Sequence, residues 1–449
     1  MKLNREILRL ALPSILANVT VPLVGMVDLA VVGHLGGDLG FGTAALLGGI
    51  AIGTMIFDLL YWNFGFLRSG TGGLTAQAFG RGDREESSMI LLRSLALAAG
   101  AGIILIALQW VIVQVAFVIA DCSPEVKELA SRYFYIRIWA APATLSLFAL
   151  RGWFVGMQDT VSSMATDLTV NIVNILLSLG LGFGYAGLPR MGFAGVAAGT
   201  LIAQWTGVLF AAVLIWRKYP WAPAMFRPRE AFRTSLRPFF EMNRDLFLRS
   251  LGLIAVYVGF TAISARFGDM MLGVGAIMMK LLMIFSYFID GFAYAGEALT
   301  GRFIGAGSDE GVRSTVRATF GWGAGVALLF VAVYWIGGTP LFSLMTSDPA
   351  VVEAGKAFLP WLLLMPLIGC PAFVWDGIFI GATATPDLRR GTLLCAAGFF
   401  AVWFIGKAIA GASCPETTAI HILMGAYFAH LAVRTVYFTV RSRGILPVK

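Results

Sequence analysis

Long apolar runs, each interrupted after twenty or more residues by glycine, proline or charge, recur along the whole chain and predict helices that cross a membrane. They fall near 7–33, 43–67, 88–119, 128–156, 162–186, 191–216, 240–266, 271–299, 314–342, 352–382, 390–411 and 417–440. Each supplies the roughly 20 apolar residues that a hydrocarbon core requires. Twelve such spans and their short connections use up nearly all of the 449 residues, so no room is left for a soluble catalytic domain. Composition points the same way: 58% of residues are hydrophobic and 13% charged, with a mean hydropathy of +0.81, whereas a soluble domain carries about 25% charge. The opening run is read as the first span and not as a cleaved leader, because Asn18, Pro22 and Asp28 interrupt it and no small-residue cleavage site follows. An all-α, multi-pass membrane protein is expected.

A net charge of +8 invites a nucleic-acid reading, but its distribution explains it better. Counted by alternate connections, 25 of the 33 Lys and Arg lie on the side of the termini and 6 on the other, with Arg137 and Lys280 inside spans. The positive-inside rule then places both termini and the long basic loop 217–249 in the cytoplasm of a plasma (inner) membrane. The four cysteines form no CxxC pair and the three histidines do not cluster, so no metal, haem or other cofactor is expected. Cys122 and Cys414 fall on one side of the membrane, which is the sole argument for pairing them.

The basic loop also divides the chain into an N-terminal lobe over 1–218, a linker over 219–239 and a C-terminal lobe over 240–449. The lobes are related: LTAQAFGRGD at Leu74 recurs as LTGRFIGAGSD at Leu299, SPEV at Ser123 as DPAV at Asp348, and RGWFVG at Arg151 as DGIFIG at Asp376, all at one offset of 225 residues. With an even number of spans per half, both halves start on the same side, so the repeat is parallel and its pseudo-two-fold axis runs along the membrane normal. Transporters built this way bind substrate between the halves and rock them.

Several stretches resemble the multidrug and toxic compound extrusion (MATE) family, and within it the DinF-like branch: LALPSILANVTVPLVGMVDLAVVGHLG at Leu10, FGFLRSGTGGLTAQAFG at Phe64, RGWFVGMQDT at Arg151, FSYFIDGFAYAGEALTG at Phe285 and WDGIFIGATAT at Trp375. The resemblance covers nearly the whole chain. It implies twelve helices in two lobes around a central cavity, and export of cationic or amphipathic compounds driven by proton or sodium entry. It also implies that Asp28 is the coupling carboxylate, since the family's aspartate falls at this position of its first-helix motif.

Charged residues at bilayer depth cost about 2.5–3.5 kcal/mol on insertion scales, so each needs a reason. Asp28 has no cation near it in sequence. Six residues earlier Pro22 cannot donate to the carbonyl of Asn18, which builds a bend point into the helix. A carboxylate beside a bend can act as a protonation switch; a structural carboxylate satisfied by a neighbour is the other reading. On the fifth span Asp167, Asn171, Asn174 and Ser178 fall within an arc of about 60°, and Asn174 and Ser178 reach the depth of Asp28. Thr200 on the sixth span is a further member. Many family members carry a second aspartate where this chain has Ser178, which weakens a sodium reading and favours H⁺ as coupling ion, with Na⁺ the runner-up. The same amides would also serve simply to glue helices together.

In the second half Lys280, Tyr287, Asp290, Tyr294 and Glu297 of the eighth span fall within about 100° of one another. They are candidates for a wet substrate cavity or for contact with Asp376 on the tenth span. Aromatic rings among carboxylates suit lipophilic cations, and a structural Lys–Asp pair would leave the same trace. Asp58, with Trp62, is a further cavity candidate. Arg151 is expected to snorkel as a topology anchor, and Gly70–Gly73 to mark a break or a close helix contact without any phosphate-loop motif. Taken together these residues predict a monomeric secondary exporter that works on small amphipathic or cationic molecules. A lipid-linked precursor flippase of the same superfamily and a sodium-coupled exporter stand as alternatives. The scattered histidines supply no catalytic constellation.

Overall fold

The computed structural model describes residues 2–36, 40–119, 122–231, 237–346, 348–411 and 415–446. Cys414, the proposed partner of Cys122, lies outside them. In the first half the helices are α1 (Lys2–His34), α2 (Thr43–Asn63), α3 (Phe66–Arg81), α4 (Arg84–Ala107), α5 (Gln109–Ile119), α6 (Pro124–Arg137), α7 (Ala141–Gly156), α8 (Thr160–Phe183) and α9 (Phe193–Lys218), followed by two single turns, α10 (Trp221–Ala224) and α11 (Pro228–Ala231). The second half has α12 (Arg237–Ser264), α13 (Gly268–Gly305), α14 (Asp309–Met345), α15 (Pro349–Lys356), α16 (Leu359–Gly381), α17 (Thr385–Ala410) and α18 (Glu416–Ile445). With α2 joined to α3 and α6 to α7 across their short breaks, the described residues give twelve helical segments long and apolar enough to cross a membrane.

Some expected boundaries shift, for local reasons. The second span runs from Thr43 to Arg81, with a break at Phe64 and Gly65. Gly70–Gly73, read as a break or a close contact, lies inside α3 and is buried. The fourth span tightens into a 3₁₀ turn at Ile138–Ala140, just before Pro142. Polar caps start helices at the segment ends. The Glu86 amide donates to Asp83 at 2.9 Å, the Ser162 amide to Asp159 at 3.1 Å and the Gly311 amide to Ser308 at 3.2 Å, which satisfies N–H groups left over at each first turn.

The 225-residue offset holds down to the backbone. Gly82 and Gly307 both take the left-handed conformation that ends α3 and α13, where glycine adds no Cβ strain. Gln158 and Thr383, also 225 apart, share a positive φ after α7 and α16 although neither is glycine. A Cβ on Gly152 would strike the carbonyl of Arg68, and one on Gly377 the carbonyl of Ala293; Gly156 meets Gly72 as Gly381 meets Glu297. Each pair of contacts is displaced by 225. The small-xxx-small stripes of α7 and α16 therefore let backbones touch, as tightly packed membrane helices require. Helix pairings repeat accordingly: α3 and α4 on α7, α13 and α14 on α16, α8 on α9, α17 on α18.

By internal contact the chain forms two compact units, Leu16–Leu236, and Arg237–Lys449 together with Met1–Ile15. The start of α1 thus belongs with the second half, which the 1–218 lobe did not anticipate. In the first unit Phe57 stacks on Phe134 at 4.9 Å between ring centres, and buried Trp153 donates to the Ser87 carbonyl at 3.1 Å. Large apolar side chains such as Trp216, Trp335, Ile336 and Ile409 are exposed, as fits helices whose solvent is lipid.

Candidate functional site

The polar stripe of α8 stitches that helix to three others. Ser178 Oγ donates to Asp28 Oδ1 on α1 at 2.7 Å, with both residues buried. One turn earlier, Asn174 Nδ2 donates to Thr200 Oγ1 on α9 at 2.9 Å. Asn171 Nδ2 donates to Thr20 Oγ1 on α1, also at 2.9 Å. Asp167, at the start of the stripe, pairs with Arg151 of α7 at 2.5 Å. The expected snorkelling of Arg151 gives way to this ion pair because α7 packs beside α8 and presents the guanidinium to a carboxylate that burial would otherwise leave unbalanced.

Two of these bonds grip α1 on either side of Pro22, at Thr20 and at Asp28, while α1 runs through Pro22 as one continuous helix. They start from positions seven residues apart on α8, about 10 Å along its axis. The amide oxygen of Asn174 is buried and accepts no hydrogen bond among the described residues.

Sequence reading missed a cation here. Arg137, at the end of α6, lies within electrostatic reach of Asp28 and Asp58. It donates to the Tyr133 hydroxyl at 2.9 Å and lies 4.7 Å from the centre of the Phe57 ring. Its presence in a span is the one signal the sequence carries. Asp28 therefore has a positive neighbour, supplied by a helix more than a hundred residues away. Asp58 is exposed on α2, and Trp62 is 37% exposed beside it.

In the second unit the expected face of α13 splits. Glu297 is fully buried, Tyr287, Asp290 and Tyr294 are half-buried, and Lys280 is exposed. Asp376 is buried and forms ion pairs with Arg249 of α12 and Arg434 of α18; Asp290 lies within electrostatic reach of Arg434. The partner foreseen for Asp376 on α13 is thus replaced by two arginines, and Lys280 is in no ion pair among the described residues. The two arginines and two carboxylates, Arg249, Arg434, Asp376 and Asp290, are individually costly on an apolar helix bundle and mutually compensating.

At the end of the first unit's bundle Asp159 caps α8 and accepts from Lys218 Nζ at 3.2 Å and Tyr219 Oη at 3.0 Å. Burial pushes this carboxyl up, but hydrogen bonds from Ser162, Lys218 and Tyr219 together outweigh it and hold the group below its ordinary range. Among the described residues no three of His, Cys, Asp and Glu gather so as to hold a metal ion.

Comparison with known proteins agrees with the geometry. The MatE family model matches residues 13–180 and again 247–409, once in each half. The chain is 35% identical over 398 residues to DNA damage-inducible protein F of Escherichia coli (strain K12), covering 88% of this chain and 84% of that one. It is 24% identical to a probable multidrug resistance protein NorM of Thermotoga maritima, over 79% and 75% of the two chains. A crystal structure of MATE in the bent conformation superposes with a TM-score of 0.84 at 17% identity, covering 99% of this chain and 97% of the other, which establishes the fold. With two matching halves, a DinF relative along most of its length and the fold of MATE transporters, this chain is a multi-pass membrane protein that belongs to the MatE (MATE) family, in its DinF-like branch.

Proposed function

We propose that the chain is a proton-coupled exporter of amphipathic or cationic small molecules, set in the inner membrane with both termini cytoplasmic. The observation that carries the coupling is the buried Asp28, held by Ser178 while Asn171 holds Thr20 on the other side of Pro22. An ionised Asp28 accepts a charge-assisted hydrogen bond, about twice as strong as a neutral one. Protonation from outside removes the charge, weakens the grip on the outer half of α1 and turns the carboxyl into a donor. The vacant acceptor on Asn174 stands one turn from Ser178 on the same face. Freed at one end and held at Thr20, α1 can bend at Pro22, where the backbone bond to Asn18 is already missing. Loss of the proton inward restores the Ser178 bond. The cycle runs because the two states differ in proton affinity.

A lone carboxylate beside a hydroxyl and amides, with Arg137 nearby, favours H⁺ over Na⁺, a hard cation that takes several oxygen ligands. Resistance proteins among the relatives support the substrate class. The test is efflux of a fluorescent lipophilic cation from proteoliposomes under an imposed proton or sodium gradient. The proton gradient alone drives efflux in the native chain, and Asp28→Asn abolishes it. Sodium drive, or full activity of the variant, would move the coupling site elsewhere.

A further inference from the structure

A cavity of about 120 Å³ opens between α12 and α13, with Tyr257, Phe260, Met279 and Met283 among its walls and Thr261, Ser264 and Lys280 among its polar groups. Thr261 returns its hydroxyl to the Tyr257 carbonyl at 3.1 Å, whereas neither Lys280 nor Ser264 is spent on the fold. Lys280 has no ion-pair partner among the described residues, although it stands about 18 Å along α13 from its start, well inside a segment where an unpaired charge is costly. Ser264 is 1% exposed, and its hydroxyl has no hydrogen-bond partner among the described residues. Other buried or half-buried serines of this half, Ser250 and Ser286, return their hydroxyls to the carbonyl four residues back. Ser264 does not, and the cavity it faces exists in part because Gly275 opposite has no side chain: a Cβ there would sit 3.2 Å from the Ser264 oxygen.

An ammonium has only donors to offer and a hydroxyl has one, so two unmet donors call for a ligand group rich in acceptors. Rings and thioethers around them suit an apolar body, the methionines giving the wall its tolerance of shape. The volume is close to that of an engineered cavity of about 150 Å³ that takes up benzene. It therefore admits an anionic head with one ring or a short stem, and no whole drug-sized molecule. We propose that this cavity binds the anionic head of an amphipathic molecule, a carboxylate, sulfonate or phosphate monoester, through Lys280 and Ser264. The charge it selects is opposite to that of the exported cations. The proposal does not rest on the Asp28 cycle, because binding is read without transport.

The experiment uses the full chain in nanodiscs of neutral lipid and one fluorophore carrying, at the same position, a carboxylate, a neutral amide or an ammonium, with binding read by fluorescence polarisation. The carboxylate probe binds tightest to the native chain. Its affinity falls about tenfold or more in Lys280→Gln, as loss of a charge-assisted contact implies; Lys280→Arg retains it, and Gly275→Leu weakens all three probes by filling the cavity. Adding anionic lipid then separates two sources of the same chemistry. Competition with the probe assigns the cavity to a lipid headgroup, and its absence to a free amphipath. Equal binding of the three probes by the native chain overturns the proposal even if no variant folds, and so does an unchanged carboxylate affinity in a folded Lys280→Gln.

Discussion

At residue scale the decisive position is Ser178. Its hydroxyl is a good donor to an ionised Asp28 at 2.7 Å but a poor ligand for a bare cation, and hard cations are held by several oxygens, carboxylates foremost. Replacing it with a carboxylate changes that balance. On the proton-coupled reading proposed above, Ser178→Asp is expected to make transport sodium-dependent, with sodium affinity rising by an order of tenfold for the added charge, about 1.4 kcal/mol. Initial efflux rates measured against sodium at fixed pH check this, and a flat response would sink the argument that Ser178 sets the ion. The α8 stripe was legible because a helical period puts Asp167, Asn171, Asn174 and Ser178 on one face whatever surrounds them. Arg137 beside Asp28 was not, since nothing in the local pattern of α6 says which helix its guanidinium will meet. Arg151 was misread for the same reason: a basic residue near a span end looks the same whether it reaches for water or for Asp167.

At the scale of elements, apolar length alone made twelve spans readable, while the breaks within them depended on packing. The run Gly70–Gly73 looks like punctuation, yet α3 passes straight through it because α7 lies against it, with Gly156 facing the backbone at Gly72. A testable contrast follows from how differently glycines are used. Gly152→Leu or Gly377→Leu forces a side chain onto a neighbouring carbonyl and should lower stability by about 1–3 kcal/mol, the usual range for overpacking. Gly325 lies on α14 with nothing near its would-be Cβ, so Gly325→Ala should be neutral or stabilising by up to about 1 kcal/mol through helix propensity. Thermal denaturation of the detergent-purified proteins separates the two kinds. Equal loss at Gly152 and Gly325 would mean that the α3–α7 contact is not close.

For the whole molecule, the repeat preserves architecture and exchanges chemistry. Positions 225 apart share caps, left-handed turns and glycine contacts, yet Arg151 is matched by Asp376, a reversal of charge. Each was free to differ because each is neutralised inside its own half, Arg151 by Asp167 and Asp376 by Arg249 and Arg434. Removing one partner of a buried pair leaves an uncompensated charge, at a cost of about 3–5 kcal/mol, and Asp376 and Arg434 side chains are only 11% and 4% exposed. Asp376→Asn should therefore lower the melting temperature sharply. Arg151→Asp should do likewise by placing two carboxylates together. Adding Asp167→Arg to Arg151→Asp rebuilds an ion pair with its sense reversed and should recover most of the loss, whereas adding Asp376→Arg, which exchanges charge between the repeats, should deepen it. If instead the exchange between repeats restores stability and the one within α7 and α8 does not, the charges are balanced across the molecule as a whole and the two halves are not electrostatically self-contained.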